Sequence, residues 1–363
     1  MDERHPRGSG SEPGPHNGSE DQGAAHDRSD PPAIMLTGVG KRYDIVSCFS
    51  ALTSVVAVDP NPLAPARYAA KIQASAPPIE DPAYAPHLAR LCQFHGVGLV
   101  LPLTDLYIET LARAREDGHL PALVPSSEVA RATYDKYETH LLLESLGLPS
   151  PPTVLPDTDL DALDYPVMVK PRQGSGARSI HIAHDPAQAR FFVDYVPEPT
   201  MVQRAMAGPE LSIDCLGDLH GNCLNAIPRS MLESRGGESI KGTVVEAPDL
   251  VELGSRVMQA LRVRGPATIQ VFRDPDLGVR ITDVNTRFGG AFPAPTLAAP
   301  SGRSYPELIV RMAAGETPAP QVGEYRRGVT FSRYYWQLEL DADLRPTGHD
   351  ILSGGPPAPK PSP

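Results

Sequence analysis

The sequence lacks any run of about 18 apolar residues that could span a bilayer. No apolar signal core follows the charged start of the chain. Acidic residues outnumber basic ones, and the formal net charge of -11 argues against a surface dedicated to nucleic acid. We therefore expect a cytoplasmic protein that binds neither a membrane nor nucleic acid, and any anionic ligand must be held by a local group of cations.

Cysteine is also scarce in this chain. The four cysteines lie mostly within apolar strand or helix patterns, where a free cysteine behaves as a small apolar residue. No two of them have the CxxC spacing of a zinc or redox motif: Cys48, Cys92, Cys215 and Cys223. The pattern favours buried free thiols over a zinc site or disulfides.

The two ends of the sequence differ from the rest. Residues 1–32 contain five glycines and five prolines but no aromatic residue, so they cannot bury enough apolar surface to offset the entropy of ordering. We predict a disordered tail there and a loose, proline-rich tail over 346–363. The remainder belongs to a chain of 363 residues that is 40% hydrophobic, which is enough for two or three packed units.

The first of these units has the pattern of an α/β domain. Continuous apolar runs at 33–40, 55–58 and 97–101 end at glycine, proline or polar residues, and helix-like segments separate them. Such runs are typical of parallel strands that are buried on both faces. We predict a doubly wound parallel-sheet domain over 33–125, with a binding crevice at the carboxyl ends of its strands.

Several residues at those strand ends have two interpretations. Gly38 and Gly40 resemble a shortened dinucleotide fingerprint but also suit a tight turn between strand and helix. Asp59 could hold a ribose hydroxyl or simply stabilise its own turn. Thr104 and Asp105 lie where a substrate could touch them, although Asp105 could instead cap the helix that follows.

Residues 281–290 form the most informative stretch. Asp283, Asn285 and Arg287 alternate at the end of an apolar strand, so their side chains share one face. They offer two hard oxygen ligands and a fixed cation, which is the chemistry of a phosphoryl-transfer site. The preceding strand is predicted to pair with this one through a turn, so that Gln270 faces Asp283 across an antiparallel hairpin.

A cation and a glycine-rich loop precede that strand. Lys170 ends an apolar strand, and the loop after it contains Gly174, Ser175 and Gly176. Backbone amides of such a loop can approach phosphate oxygens closely, because glycine has no side chain. The loop is not a Walker P-loop, because no GK[ST] follows it, and by itself it could be an ordinary hairpin turn.

Other polar residues follow in a fixed order. Lys136 lies in the first turn of a predicted helix, where a cation is unfavourable for the helix dipole and an anionic partner is expected nearby. An exposed lysine at a helix start is also common. Gln203 ends an apolar strand, Glu210 opens the next strand, and Arg229 is predicted to end a hairpin strand.

Taken together, these positions resemble the ATP-grasp superfamily, and within it the branch of the carbamoyl-phosphate synthase large-subunit domains and biotin carboxylase. The resemblance covers about residues 33–340. It implies that the α/β domain precedes a two-subdomain ATP-grasp fold over 126–345, with a small lid subdomain at about 150–205.

The resemblance also implies roles for single residues. ATP would be bound by a set of cations, loop residues, hinge residues and polar side chains: Lys136, Lys170, Gly174, Ser175, Gly176, Gln203, Arg204, Ala205, Glu210 and Gln270. Magnesium, as one ion or two and with Mn²⁺ able to replace it, would be held by Gln270, Asp283 and Asn285. The catalytic cations near the γ-phosphate and the acyl substrate would be Lys170, Arg229 and Arg287. Asp283 departs from the family, in which glutamate is usual, so its reach is one methylene shorter.

The implied activity is that of an ATP-dependent carboxylate–amine ligase. Such an enzyme acts on a small amino-acid-like carboxylate and an amine, forms an acyl phosphate and releases ADP and phosphate. Residues 233–237 and 291–303 would line the substrate pockets, and a homodimer is the expectation from the family. Two alternatives stay open, namely a bicarbonate-activating enzyme of the carbamoyl-phosphate type and a non-catalytic ATP-binding module.

Overall fold

A computed structural model of the chain describes residues 31–174, 176, 179–235, 238–290, 298–334 and 337–347. Residues 1–30 of the first predicted tail and 348–363 of the second lie outside these ranges, and so does Ser175. Within them, no helix combines the length and the apolar character that crossing a membrane requires.

The first sheet is fully parallel and has the strand order β3-β2-β1-β4. Alternate residues of its central strand enter two different cores: Ile34 packs with helix residues on one face, and Met35 packs with helix residues on the other. This arrangement confirms the doubly wound α/β prediction. The strands are β1 (Ala33–Thr37), β2 (Val55–Val58), β3 (Ile72–Ala74) and β4 (Val97–Pro102), and the helices are α1 (Tyr43–Ser50), α2 (Tyr84–His95), α3 (Ile108–Glu116) and α4 (Ser127–Tyr134).

A helix and a small antiparallel sheet come next. The helix begins at Lys136, because Asp135 caps it by accepting hydrogen bonds from two backbone amides. The sheet has the order β5-β8-β6-β7 and packs against one helix. These elements are α5 (Lys136–Ser145), β5 (Thr153–Val154), β6 (Val167–Pro171), β7 (His181–Ala183), α6 (Pro186–Tyr195) and β8 (Thr200–Arg204).

The largest sheet has six antiparallel strands in the order β13-β12-β9-β10-β11-β14. Its second strand along the chain does not end at Arg229, as the sequence had suggested, but continues through Pro228 and Arg229 to Arg235. The elements are β9 (Glu210–Gly217), β10 (Cys223–Arg235), β11 (Glu238–Val244), α7 (Pro248–Ala260), β12 (Gly265–Asp274), β13 (Gly278–Asn285), α8 (Tyr305–Ala313) and β14 (Thr330–Ser332).

The cysteines behave as the sequence predicted. All four are free thiols, and Cys92, Cys215 and Cys223 are buried while Cys48 is half-buried. Burial raises the pKa of Cys92 to about 12 and that of Cys223 to about 11, because an apolar environment disfavours the thiolate. These side chains are therefore packing residues.

Candidate active site

One cleft of about 1080 Å³ is lined by residues of all three sheets. Twelve of the fourteen site residues predicted from the sequence line it. Ala205 is not among the lining residues, and Ser175 lies outside the described part of the chain. The carboxyl ends of β1 and β4 also reach this cleft, as expected for a crevice at the ends of parallel strands.

Three oxygen-bearing side chains meet on neighbouring strands of the large sheet. Gln270 on β12 pairs directly with Asp283 on β13, so the register expected from the hairpin pattern is observed. Gln270 Nε2 also donates to Glu210 Oε1 on β9 at 3.0 Å. The two carboxylates and the amide therefore form one polar patch on the cleft wall.

Electrostatics in this patch favour a cation. Burial raises the pKa of Glu210, and nearby Asp283 raises it further, although Arg229, the hydrogen bond from Gln270 and Lys170 lower it. Two partly buried carboxylates repel each other when both are charged. A positive ion placed between them would relieve this repulsion. Among the described residues, the one hydrogen bond of the Asp283 carboxylate is that from Val284 N to Oδ1, at 3.1 Å.

The donor set fits magnesium better than a soft metal. No cluster of three or more histidine, cysteine, aspartate or glutamate side chains occurs within the described ranges, so an all-protein metal cage is absent there. Mg²⁺ is usually bound through one or two carboxylates together with substrate phosphates and water. Asp283 presents one carboxylate at the cleft, and Asn285 and Gln270 each add an amide oxygen.

The guanidinium of Arg287 forms hydrogen bonds with both domains that line the cleft. Its Nε and Nη2 donate to Oδ2 of Asp105 at 3.1 and 2.7 Å, and its Nη2 also donates to Oδ1 of Asn285 at 3.0 Å. Asp105 follows β4 of the parallel sheet, whereas Asn285 ends β13. The ion pair therefore joins the N-terminal domain to the predicted metal-binding strand.

Arg229 is held in a deeply buried cluster that the sequence did not reveal. Its Nε donates to Oδ2 of Asp214 at 2.7 Å, and both residues are 2% exposed. Thr268 Oγ1 donates to the other carboxylate oxygen at 2.9 Å, and the ring of Phe331 lies 6.0 Å from the guanidinium carbon. Among the described residues, none accepts a hydrogen bond from the buried Nη1 atom of Arg229, although the residue lines the cleft.

The sequence holds part of the signal for this cluster. Glu210, Ser212 and Asp214 alternate along β9, so they share one face of the sheet, and the first two line the cleft. Alternation groups Asp214 with these two cleft residues, but its contact with Arg229 depends on the pairing of β9 with β10.

The pKa of Lys170 is shifted far from its ordinary value. Its Nζ donates to Gln203 Oε1 at 2.9 Å, and Gln203 Nε2 donates to Thr153 Oγ1 at 2.9 Å. The pKa of Lys170 is lowered to about 8, chiefly by burial; Asp283 and Glu210 act to raise it, and Lys136 acts to lower it. Its hydrogen-bond partner is neutral, so the charge on this ammonium is poorly compensated and a phosphate would stabilise it.

The second predicted phosphate-binding cation lies against the glycine loop. Lys136 Nζ donates to the backbone carbonyl of Gly174 at 2.8 Å. Gly174 has φ of 106°, a conformation that favours glycine, and an added Cβ there would meet no atom within 4 Å. Backbone conformation, and not crowding, is therefore what requires glycine at this position.

The predicted hinge is already hydrogen-bonded to the lid. Arg204 N donates to Pro152 O at 2.9 Å, and Ala205 N donates to Pro166 O at 3.1 Å. The guanidinium of Arg204 donates to the carbonyl of Tyr165 at 3.0 Å. These two backbone amides therefore already have hydrogen-bond acceptors within the protein, and a base-reading role of the hinge stays a prediction.

The N-terminal domain contributes residues that the sequence left ambiguous or missed. Asp59 accepts hydrogen bonds from Gly40 N at 2.8 Å and from Asn61 N at 2.9 Å, so the turn interpretation is correct for this carboxylate. Arg42, which the sequence analysis missed, is buried in the cleft wall and donates from Nη2 to Gly289 O at 2.6 Å. A cation after the glycines of the first strand was the signal available for it.

Two families match separate parts of the chain. Residues 34–120 match the family described as "PylC-like, N-terminal domain", and residues 197–334 match that described as "ATP-grasp in the biosynthetic pathway with Ter operon". The first match covers the parallel sheet, and the second covers the whole six-stranded sheet with the polar patch.

Curated relatives agree with these matches. The chain is 25% identical to a D-alanine–D-alanine ligase of Petrotoga mobilis over 222 residues, which cover 53% of this chain and 74% of the relative. It is 26% identical to the carbamoyl phosphate synthase large chain of Xylella fastidiosa over 252 residues, 62% of this chain. The match spans only 23% of that large chain.

Solved structures share the fold. The biotin carboxylase domain dimer of Hydrogenobacter thermophilus 2-oxoglutarate carboxylase, solved with MgADP, ADP and bicarbonate, superimposes with a TM-score of 0.65. The sequences are 17% identical, and the superposition covers 82% of this chain and 73% of that one. The resemblance to the ATP-grasp superfamily drawn from the sequence and the predicted two-part fold are thereby confirmed, since residues 197–334 match an ATP-grasp family and the chain is similar to curated ligases.

Proposed function

We propose that the protein is an ATP-dependent carboxylate–amine ligase that joins a small amino-acid-like carboxylate to an amine through an acyl phosphate. One observation supports this most directly: a single cleft combines the oxygen-rich end of β13 with the buried Lys170 and the glycine-containing loop. Hard oxygens and desolvated cations in one cleft are what phosphoryl transfer requires.

The nucleotide would lie between the lid sheet and the large sheet. Its phosphates would contact the ammonium groups of Lys136 and Lys170 and the backbone of Gly174 and Gly176, all of which line the cleft. Glu210, at the start of β9, would accept hydrogen bonds from the ribose. Gln203 would support Lys170 from the hinge, because its amide oxygen already accepts a hydrogen bond from Nζ.

Magnesium would be held by Asp283, Asn285 and Gln270. When bound, it would neutralise charge that develops on the β- and γ-phosphate oxygens during transfer. The shorter side chain of Asp283 leads us to propose one firmly bound ion and a weaker second one. Mn²⁺, which takes the same oxygen ligands, should substitute.

In the proposed reaction a carboxylate oxygen of the substrate attacks the γ-phosphorus, and the bond to the β–γ bridging oxygen breaks so that ADP leaves with the electron pair. The amine then attacks the acyl carbon, phosphate leaves with its electron pair, and the nitrogen loses a proton. The guanidinium of Arg229, which lines the cleft, would bind an anionic oxygen there. Closure of the cleft would protect the acyl phosphate from water.

The amino-acid preference is supported by the D-alanine–D-alanine ligase relative, whose length this chain largely spans. Carbamoyl phosphate synthase activity has weaker support, since the chain matches less than a quarter of that large chain. A homodimer is also proposed, because the superimposed biotin carboxylase domain is a dimer.

The test is ADP release from ATP and Mg²⁺ with mixtures of amino acids, and with bicarbonate in place of the mixture. ADP formation that needs both a carboxylate and an amine would support the ligase. Dependence on bicarbonate would indicate the carboxyphosphate reaction, and nucleotide binding without turnover would indicate a binding module. Formation of AMP and pyrophosphate would exclude the acyl-phosphate route.

A matched pair of variants tests the site itself. Lys170→Ala should abolish ADP formation with the fold intact, because it removes the buried ammonium. Lys71→Ala removes an exposed lysine that is not among the residues lining the cleft and should leave activity unchanged. Full activity of Lys170→Ala would contradict the proposed nucleotide site.

A further inference from the structure

We propose that Asp105 is a positioning residue of the active site: through Arg287 it orients the magnesium-binding amide of Asn285. The inference rests on the proposed function, because it assigns Asn285 to the metal. It adds a residue of the N-terminal α/β domain, 182 positions from Arg287 in sequence, to the phosphoryl-transfer site.

The contacts form a continuous chain. The carboxylate of Asp105 accepts from two nitrogens of Arg287, at 2.7 and 3.1 Å, through one oxygen, Oδ2. Arg287 in turn donates to Asn285 Oδ1 at 3.0 Å and to Phe288 O at 3.1 Å. Of the five N–H groups of this guanidinium, four are used by described residues, so its plane is fixed and one N–H remains for a ligand.

The competing explanation for Asp105 is helix capping, and the structure does not support it. Asp105 begins a short 3-10 helix whose N-cap is Thr104, and no side-chain hydrogen bond caps that helix. The following helix, α3, has Tyr107 as its N-cap and again no side-chain cap. The Asp105 carboxylate therefore accepts hydrogen bonds from Arg287 and does not cap a helix.

Two physical effects of Asp105 would both favour magnesium binding. An amide oxygen has two lone pairs, and the bond from Arg287 uses one on Asn285, which leaves the other at a fixed angle for a metal ion. The positive charge of Arg287 would repel Mg²⁺, and the negative charge of Asp105 offsets that repulsion. Both side chains of the pair are largely shielded from water, at 15% and 25% exposure, so the compensation is only partly screened.

Loss of the carboxylate should therefore weaken magnesium binding more than nucleotide binding. Removing an outer partner of a metal ligand typically costs about 10- to 100-fold in metal affinity or activity. For Asp105→Asn we expect the half-saturating Mg²⁺ concentration to rise about tenfold, and kcat to fall by a similar factor. KM for ATP at saturating Mg²⁺ should stay within about twofold, because the phosphate-binding lysines are untouched.

The experiment titrates MgCl₂ into full-length protein with a fluorescent ADP analogue, so its main readout does not need turnover. Asp249→Asn is the matched control, since it breaks an exposed Asp–Arg pair of 2.9 Å outside the cleft lining. It should leave the Mg²⁺ dependence unchanged. Asp105→Glu keeps the charge and is expected to fold and to show an intermediate shift.

A double-mutant comparison separates positioning from a general structural effect. If Asp105 acts through Arg287, Asp105→Asn should add no further Mg²⁺ shift in an Arg287→Gln background. Additive shifts would overturn the inference, and so would a wild-type Mg²⁺ dependence in Asp105→Asn. Failure of the unaltered protein to bind the nucleotide analogue would instead contradict the proposed function itself.

Discussion

Substitution of Gln203 by glutamate should change the pH range over which the protein binds nucleotide. Gln203 accepts a hydrogen bond from Lys170 Nζ at 2.9 Å, and burial lowers the pKa of that lysine to about 8. Phosphate binds the ammonium form, so the contribution of Lys170 is complete below that pKa and is lost as the pH rises through it. In the unaltered protein we expect affinity to fall by about tenfold between pH ~7 and pH ~9.

The size of the change can be worked from the contact. Opposite unit charges 2.9 Å apart attract each other by about 6 kcal/mol at an effective dielectric of about 20, equal to about four pKa units. Burying the new carboxylate costs several kcal/mol and cancels part of this. We therefore expect the pKa of Lys170 to rise by about two units and the affinity of Gln203→Glu to change less than about twofold over the same range.

The substitution also has a predictable effect on stability. Thr153 Oγ1 now donates to Pro151 O at 2.8 Å and accepts from Gln203 Nε2 at 2.9 Å. A carboxylate at position 203 can only accept, so the single hydroxyl proton of Thr153 can satisfy one partner but not both. The loss of one such hydrogen bond should lower the free energy of unfolding by about 1 kcal/mol.

The assay is an equilibrium titration with a fluorescent ATP analogue at several pH values. Gln93→Glu, which adds the same charge at an exposed position of α2, should keep the pH dependence of the unaltered protein. Lys170→Arg should flatten it, because arginine stays protonated throughout. Affinity of the unaltered protein that stays constant to pH ~9 would refute the reasoning, and so would an equal decline in Gln203→Glu.

Three further substitutions test the site and the fold. Asp283→Asn should abolish ADP formation while circular dichroism and melting stay unchanged, and retained turnover would exclude Asp283 as a metal ligand. Gly217→Ala should lower the free energy of unfolding in urea by about 3 kcal/mol, because the new Cβ would lie 1.9 Å from the backbone oxygen of Val263. A loss below about 0.5 kcal/mol would show that this backbone can move to accept the methyl group. Tyr305→Phe removes a hydrogen bond of 2.8 Å to the Asp214 carbonyl, so unfolding should become easier by about 1–2 kcal/mol, and an unchanged melting curve would contradict this.

Local periodicity explains what was predicted well. The alternation of Asp283, Asn285 and Arg287 on one strand face requires only the geometry of an extended backbone, and all three line the cleft. The pairing of Gln270 with Asp283 follows from a short turn between two apolar strands, and it is observed. Short-range rules of this kind do not depend on the rest of the fold.

Side-chain partners distant in sequence were not predictable in the same way. Arg287 pairs with a carboxylate 182 residues earlier, and Arg42 donates to a carbonyl 247 residues later. Asp105 had equally good local explanations, because a polar residue before a helix is usually a cap. Nothing in one sequence states which strand ends will meet.

Tertiary packing also extends one strand beyond the end that the sequence suggested. The sequence suggested that β10 would end at Arg229, and Pro228 lies within the observed strand although a proline lacks the N–H that a ladder uses. The strand continues to Arg235, pairing with β9 as far as Ser230 and with β11 to its end. The two neighbouring strands stabilise it, and they are not visible in the local pattern.

The fold class, the face of β13 and the order of the polar residues follow from local sequence, because they depend on backbone periodicity and on the spacing of apolar runs. The protonation and the orientation of those side chains depend on the packed fold. The low pKa of Lys170 arises from burial beside a neutral amide, and Arg287 is fixed by a carboxylate from another domain. Burial and contact across the fold are collective properties of the packed chain, and no local pattern encodes them.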